Sequence, residues 1–335
     1  MTMEFRRLGD SGLDVSAVCL GTMTFGDRTD AAEAQRIVDA AFDAGVNFID
    51  TADAYSKGAS ERIVGAAIKA KRRNWILATK VANVLTKKPH DGGLSRRWIQ
   101  LACDDSLERL GTDCIDIYYL HRDDPDTPIA ETVGAMGDLI RGGKVRYFGV
   151  SNYRGWRIAE VVAECEAQGV PRPVVCQPYY NLLTRMPEVE ILPACDYYGL
   201  GVATYSPVAR GVLTGKYRGG NTPADSRVGV KDQRILETEF RAESLAIAEK
   251  IDAHAKKTGR TAIQFALAWL WANQIVSTVI AGPRTLAQWQ EYVAAIGTPW
   301  HAEDEALVDS LVPPGHPSTP GYSDPQYPFF GRVLE

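Results

Sequence analysis

Short apolar runs along this chain end, one after another, on side chains able to carry a proton or hold an ion. "VNFID" (46–50) ends on Asp50, "WILATK" (75–80) on Lys80, and "CIDIYYLH" (114–121) on His121. "VRYFGVSN" (145–152) ends on Ser151 and Asn152, "PVVCQ" (173–177) on Gln177, and "GVATYS" (201–206) on Tyr205 and Ser206. Tyr55 follows shortly after Asp50. A tyrosine hydroxyl, with a pKa near ~10, is a poor acid or base at neutral pH, but a nearby ammonium favours the phenolate and lowers that value. Lys80 is suited to this part. Asp50 can hold Lys80 in place and charged, and His121 can donate a hydrogen bond to a carbonyl oxygen. Such a set suits proton delivery to an oxygen on which negative charge develops, as when hydride reaches a carbonyl carbon. Side chains supply no hydride, so this chemistry requires a cofactor.

Each group alone is ordinary, since a single Lys or Asp after a strand usually serves solvation, capping or a surface pair. Their common place at the ends of strands is what needs a fold to explain it. With "SAVCLG" (16–21) and "VSTVIAG" (276–282) there are eight strand-like runs, separated by segments with helical periodicity. In "TDAAEAQRIVDAAFDAG" apolar residues recur at helical spacing, with Thr29 or Asp30 as N-cap and Gly45 as stop. "SERIVGAAIKA", "SRRWIQLACDDSLERLG" and "IAETVGAMGDLIRGG" read alike, the last two stopping at Gly111 and Gly142. Alternating strands and helices imply parallel βαβ units, and eight of them point to an α/β fold, a closed (β/α)8 TIM barrel. In such barrels the active site lies at the C-terminal ends of the strands, where these polar groups fall. A doubly wound dinucleotide fold is the alternative, but no G-x-G-x-x-G follows the first run.

"FRRLGDSGLDV" reads as an N-terminal β-hairpin that could plug the barrel's bottom. One domain is expected over residues 1–335, with the barrel at 16–296 and a C-terminal helix and long tail at 297–335. Residues 207–235 form a connection longer than a barrel requires, a length that is usually functional or disordered. The tail carries Tyr322, Tyr327, Phe329 and Phe330, which either cover the pocket or pack along the outside. Trp269 and Trp271 fall at helical apolar spacing and read as core.

A net charge of −5 gives no field to gather nucleic acid or an anionic membrane. No signal-peptide-like start or membrane-length apolar run is present, and the six cysteines contain no C-x-x-C spacing. A reduced, cytoplasmic protein is expected. The acids Asp50, Asp53, Asp123 and Asp124 with His121 raise the possibility of a metal-dependent barrel hydrolase. No His-x-His follows the first strand, however, and Lys80 is an odd neighbour for a cation, so no metal is expected.

"NFIDTADAY", "ILATK", "IDIYYLH", "GVSN" and "YSPVARGVLTGKY", in this order, resemble the aldo-keto reductase superfamily from about residue 4 to residue 296. The resemblance implies an NADPH-linked oxidoreductase with a tetrad of Asp50, Tyr55, Lys80 and His121, in which Tyr55 is general acid in reduction and base in oxidation. Its substrate would be a small-molecule carbonyl or alcohol. Ser151, Asn152 and Gln177 would bond the nicotinamide carboxamide and Tyr205 would stack on the ring. Thr22, Met23 and Asp50 match positions near the cofactor in relatives. The segment Ser206, Pro207, Val208, Gly211 and Lys216 would meet the pyrophosphate, and Arg227 would close over the same end.

Gly282 would allow close backbone approach, and Arg284 could pair with a 2′-phosphate bidentately, which favours NADPH over NADH. Gln288 and Glu291 would contact the adenosine; Tyr292 stands where relatives usually have Asn, and its ring could stack instead. Ser56 and Lys57 also depart from the family, which commonly has glycine after the tyrosine. Asp53 is expected to shape the loop or face solvent. Substrate choice would lie with Met23, Phe25, Ala54, Arg122, Asp123, Arg154 and the tail. The superfamily also includes potassium-channel β subunits that act as regulatory, cofactor-sensing partners. Their tetrad histidine resembles an asparagine, whereas His121 is present here. Oligomeric state is left open by the sequence.

Overall fold

The computed structural model describes residues 3–86, 88 and 90–328. Two short strands, β1 (Phe5–Arg7) and β2 (Asp14–Ser16), pair antiparallel as the expected hairpin. The eight strands that follow are β3 (Val18–Gly21), β4 (Phe48–Asp50), β5 (Ile76–Val81), β6 (Ile115–Leu120), β7 (Val145–Ser151), β8 (Val175–Gln177), β9 (Gly201–Thr204) and β10 (Val276–Ala281). Each pairs with the next in parallel, and β10 returns to β3 to close the barrel. Seven of the predicted runs contain one of them, and β5 extends one residue past its run, to Val81. The strands β3, β4, β6, β8, β9 and β10 are buried along their whole length, as expected where both faces of a parallel sheet are covered.

Contacts divide the chain into two compact units. The first holds residues 1–178, 190–205 and 274–294, and so contains the hairpin and all the barrel strands. Its helices are α1 (Ala31–Asp43), α2 (Ala59–Ile68), α3 (Arg96–Leu110), α4 (Ile129–Arg141), α5 (Gly155–Gln168) and α6 (Ile191–Tyr198), with a later one at Leu286–Val293. The Asp30 carboxylate caps α1 by accepting from the Glu33 N–H at 2.9 Å. Gly111 ends α3 as predicted, and does so in a left-handed conformation. Gly142 caps the end of α4 as predicted, with φ −74°, and the left-handed residue follows one position later, at Gly143.

Cys19, Phe48, Ala78, Ile117, Tyr119, Val175, Ala203 and Ile280 fill the barrel interior from every barrel strand but β7, whose partly buried Tyr147 packs against them. Leu8 and Val15 of the hairpin join the same cluster. The Arg6 guanidinium donates to the Val276 carbonyl at 3.0 Å and the Asp10 N–H to the Gly199 carbonyl at 2.9 Å, so the hairpin sits against the N-terminal ends of β9 and β10. It is therefore the floor of the barrel. Gly9 makes this approach possible: its φ is +56°, and a Cβ there would stand 2.3 Å from the Gly199 carbonyl oxygen.

The second unit holds residues 179–189, 206–273 and 295 onward. It contains α7 (Gln233–Glu237), α8 (Ala242–Lys257), α9 (Ala262–Ala272) and, beyond the first unit's α10 (Leu286–Val293), α11 (Ala302–Leu311). Thr261 and Gln264 form a capping box on α9. Trp269 of that helix is buried as expected, while Trp271 is half-buried. The Asp304 carboxylate takes bonds from Arg260 at 2.6 and 2.8 Å and from His254 at 2.7 Å, and these partners hold its pKa down at about 2 despite burial. The tail lies against α7 and α8 of its own unit. Arg234 pairs with Asp324, and the Arg241 guanidinium stacks over the Tyr322 ring at 3.7 Å. Phe329 and Phe330 lie outside the described residues.

All six cysteines are free thiols, and five are buried, with Cys114 half-buried just before β6. Among the described residues no helix is long and apolar enough to cross a membrane. Gly9→Ala should lower stability by more than ~1 kcal/mol through the left-handed backbone and the clash with Gly199. Urea denaturation measures it, and an unchanged midpoint would mean that the hairpin does not need this close approach.

Candidate active site

The strand ends converge as the sequence implies. Asp50 is the last residue of β4, in register with Ala78 of the neighbouring β5, and Lys80 lies two residues further along β5, near its end. His121 directly follows β6, with its N–H donating to the Val81 carbonyl at 2.8 Å. Lys80 is fully buried, and its three donors are all used: on the Asp50 carboxylate, on the Thr51 carbonyl at 2.7 Å, and on the Tyr55 hydroxyl at 3.2 Å. The Lys80 ammonium also stands 4.7 Å from the centre of the Tyr55 ring. Tyr55 and His121 meet edge to face, with ring centres 5.9 Å apart.

The electrostatics of this group differ in one respect from the expectation. Burial raises the pKa of the Tyr55 hydroxyl above its ordinary value, and the downward pull of Lys80 only partly offsets it. Tyr55 is therefore a neutral phenol, a proton donor rather than a phenolate. Burial opposes the charge on Lys80, but Asp50 and Tyr55 outweigh it and hold the ammonium above its usual range. Burial pushes the Asp50 carboxyl up, against the attraction of Lys80 and the bond donated by Gln177 Nε2 at 3.0 Å. Burial, with Lys80 and Arg122 nearby, holds His121 well below its ordinary pKa, so its imidazole is neutral at neutral pH.

The loop after β4 carries Tyr55 on a turn of 3₁₀ type, Tyr55–Gly58. Within it Ser56 and Lys57 have φ of +48° and +56°. The left-handed backbone here is one that glycine adopts without strain, which accords with the glycine expected at these positions. Non-glycine residues there cost on the order of 1 kcal/mol each. Below the loop, Ser60 Oγ donates to the Thr22 carbonyl at 2.8 Å and meets the hydroxyls of Thr22 and Thr51, each at 2.9 Å. Thr22 is fully buried, and its hydroxyl donates to the Asp50 carbonyl at 2.9 Å. Its side chain is thus occupied in bracing β4. Met23 beside it is exposed.

Ser151, Asn152, Gln177 and Tyr205 come together on the same rim, bonded to one another. Tyr205 OH donates to Asn152 Oδ1 at 2.8 Å, and Asn152 Nδ2 donates to the His121 carbonyl at 2.9 Å and to Ser151 Oγ at 3.0 Å. Ser151 in turn donates to the Gln177 carbonyl at 2.9 Å. Gly282 follows β10 with open space on its Cβ side, where an added Cβ would meet only the Gly21 carbonyl oxygen at 3.9 Å. Arg284 is half-buried, and its N–H donates to Gln288 Oε1 at 2.8 Å, so that amide is engaged in shaping the start of α10. Glu291 is exposed, whereas Tyr292 is buried, which removes its ring as an open stacking face.

Ser206, Pro207, Val208, Gly211, Lys216 and Arg227 belong to the second unit. There the chain passes through positive φ at Ser206, Ala209, Arg210 and Gly211. The Lys216 ammonium stands 2.4 Å from where a Cβ on Gly211 would be, and Arg227 is ion-paired with Asp232 at 2.5 Å. Of the residues expected to select substrate, Phe25 is fully buried and Asp123 is bound to Arg157 at 2.9 Å. Ala54 is half-buried just ahead of the Tyr55 turn.

Two residues were misread or missed in the sequence. Asp53, expected to face solvent or shape the loop, is 1% exposed. Neither of its carboxylate oxygens has a hydrogen-bond partner. Burial and the neighbouring Glu61 raise its pKa to about 7, which the Ala54 amide, Arg109 and Lys80 only partly offset. Glu61 itself is satisfied by Arg109 at 2.5 Å and Thr79 at 2.6 Å. The other is Asn83, whose side-chain amide nitrogen lies 2.9 Å from His121 Nδ1. Its place three residues beyond Lys80 was the available signal.

A parallel barrel with an acid, a lysine, a tyrosine and a histidine gathered at the strand ends is the arrangement of a barrel oxidoreductase, and comparison with known proteins agrees. The profile of the aldo/keto reductase family matches residues 17–313, and the chain belongs to that family. A probable voltage-gated potassium channel subunit beta of Oryza sativa subsp. japonica is 39% identical over 286 residues, which is 84% of this chain and 87% of the relative. A protein of the same description from Arabidopsis thaliana is 38% identical over 300 residues, 88% of this chain and 91% of the relative. The uncharacterized oxidoreductase YrpG of Bacillus subtilis (strain 168) is 36% identical over 334 residues, 96% of this chain and all of the relative. Family membership supports an oxidoreductase activity. Among the described residues no group of three or more His, Cys, Asp and Glu side chains could hold a metal ion.

The orphaned Asp53 carboxylate makes a stability prediction. Its folded pKa lies above the unfolded value near ~4, so its contribution is full below about pH 4 and is lost as pH rises through about 7. At pH 8 this loss amounts to roughly 4 kcal/mol. Asp53→Asn should be more stable than the parent in urea at pH 8, with the gap closing towards pH 4. A gap independent of pH would show that Asp53 does not titrate in this window.

Proposed function

We propose that the protein catalyses reversible reduction of an aldehyde or ketone to an alcohol with NADPH, Tyr55 acting as general acid in reduction and general base in oxidation. The observation that carries this reading is the bond from the buried Lys80 ammonium to the Tyr55 hydroxyl, with Asp50 holding the ammonium from behind. A reduced nicotinamide, when bound, supplies the hydride. Tyr55 then gives its proton to the oxygen that becomes the alcohol, and Lys80 stabilises the phenolate left behind. The neutral His121 donates from its ring to the same oxygen and aims the carbonyl carbon. In oxidation the phenolate takes the proton back.

The rim residues fit a nicotinamide amide by their chemistry. Ser151, Asn152 and Gln177 offer hydroxyl and amide groups, Ser151 and Asn152 exchanging their bond to one another, and Gln177 its bond to Asp50, for bonds to the carboxamide, and Tyr205 offers a ring face. The open side of Gly282 suits close approach to its backbone, and the Arg284 guanidinium would take a 2′-phosphate, which favours NADPH over NADH.

The relatives named as probable potassium channel β subunits favour a second reading, a regulatory protein that binds NADP(H) without turnover. His121 speaks for the enzyme. Tyr55→Phe should lower turnover at least ~100-fold while leaving NADPH affinity nearly intact. Undiminished turnover in that variant would sink the mechanism. In the parent, single-turnover loss of NADPH absorbance against a broad aldehyde and ketone panel separates the readings: oxidation of bound NADPH by any carbonyl supports the enzyme, and tight retention without oxidation supports the regulator.

A further inference from the structure

A neutral imidazole carries one N–H, and the partner of one ring nitrogen decides which nitrogen holds it. For His121 that partner is Asn83. The chain reaches it by an unusual route. β5 ends at Val81, whose carbonyl is taken by the His121 N–H at 2.8 Å. The next residue, Ala82, is buried at φ +137°, a backbone conformation that side chains with a Cβ rarely adopt. It is held there by the Gly93 N–H, which donates to the Ala82 carbonyl at 2.8 Å. This turn sets the Asn83 side chain against His121, with Nδ2 2.9 Å from Nδ1. On the far side the His121 carbonyl is fixed by Asn152 Nδ2 at 2.9 Å. The ring thus has a donor at Nδ1 and its residue pinned on both sides.

We infer that Asn83 is a positioning residue that fixes His121 as the Nε2–H tautomer, the strained Ala82 backbone being the device that brings it there. The inference deepens the carbonyl-reductase reading and rests on it for its purpose: with Nδ1 accepting from Asn83, Nε2 is the nitrogen left to donate to a substrate oxygen. Burial, helped by Lys80 and Arg122, the cations facing His121, keeps the ring neutral and so makes the choice of tautomer matter. Were the Asn83 amide turned over, its Oδ1 would accept from Nδ1–H and Nε2 would face the substrate bare.

The test is nitrogen NMR on the full-length protein labelled with ¹⁵N-histidine, the five histidines being few enough to resolve and His121→Gln supplying the assignment. Long-range proton–nitrogen correlations should show His121 Nδ1 without a proton and Nε2 with one. Asn83→Asp presents an acceptor in place of the donor, so the proton should move to Nδ1. Turnover should fall at least ~100-fold, the scale of a general acid-base contribution, while NADPH affinity changes less than ~3-fold. Asn83→Ala, which keeps the fold without either partner, should give a mixture of the two tautomers.

A parent protein with Nδ1–H would overturn the inference. So would an unmoved Nε2–H in Asn83→Asp or an unmixed Nε2–H in Asn83→Ala. A tautomer that switches as described in a protein that reduces no carbonyl would uphold the role of Asn83 and refute the reductase reading.

Discussion

The Asp50–Lys80 ion pair is the interaction on which the rest of the site depends. Both partners are withdrawn from water, and a buried pair is tolerated only when good geometry and further hydrogen bonds recover the lost hydration. Here the recovery is complete: Lys80 spends its other donors on Thr51 and Tyr55, and Asp50 takes a bond from Gln177. They stand on adjacent parallel strands, Lys80 two residues beyond the register partner of Asp50. The hydroxyl network of Thr22, Thr51 and Ser60 then braces the strand that holds Asp50. Removing one partner of such a pair would leave an uncompensated charge in the interior. The same arrangement that favours function therefore constrains stability.

The barrel and most of the rim were legible in the sequence for simple physical reasons. Parallel strands covered on both faces appear as unbroken apolar runs, and the polar residue ending each run stands out against them. The hairpin was legible because Gly9 and its neighbours carry turn chemistry between strand-like arms. What stayed hidden depends on depth and backbone angle rather than residue type. Asp53 has the composition of a solvated loop residue, and only packing against Glu61 and the apolar interior reveals an orphaned carboxylate. Tyr55 could be read as beside an ammonium, but the upward push of burial outweighs the pull that spacing suggested. The exchange of bonds among Ser151, Asn152, Gln177 and Tyr205 likewise needs three dimensions to see.

Departures from local rules gather around this site. Ser56 and Lys57 take left-handed backbone beside Tyr55, Ala82 takes a strained one beside Asn83, and Asp53 is buried without a partner. Elsewhere the caps and stops obey ordinary preferences, as at Asp30 and Gly111. Natural proteins break such rules chiefly where placing a group matters more than local comfort. Strained backbone thus recurs in the loops after β4 and β5, and again at Asn152 after β7 and at Ser206, Ala209 and Arg210 after β9.

The hairpin has a consequence for proton traffic. With Leu8 and Val15 seated in the barrel's core, the interior works as a cup with a sealed base rather than a tube. Lys80 stands inside that cup without contact with solvent, all its hydrogens committed, one of them to the hydroxyl of the half-buried Tyr55. The lysine is then a fixed charge and not a conduit. On the mechanism proposed above, a proton surrendered by Tyr55 would be replenished from the lip, so recharging the acid and releasing the product would share one doorway.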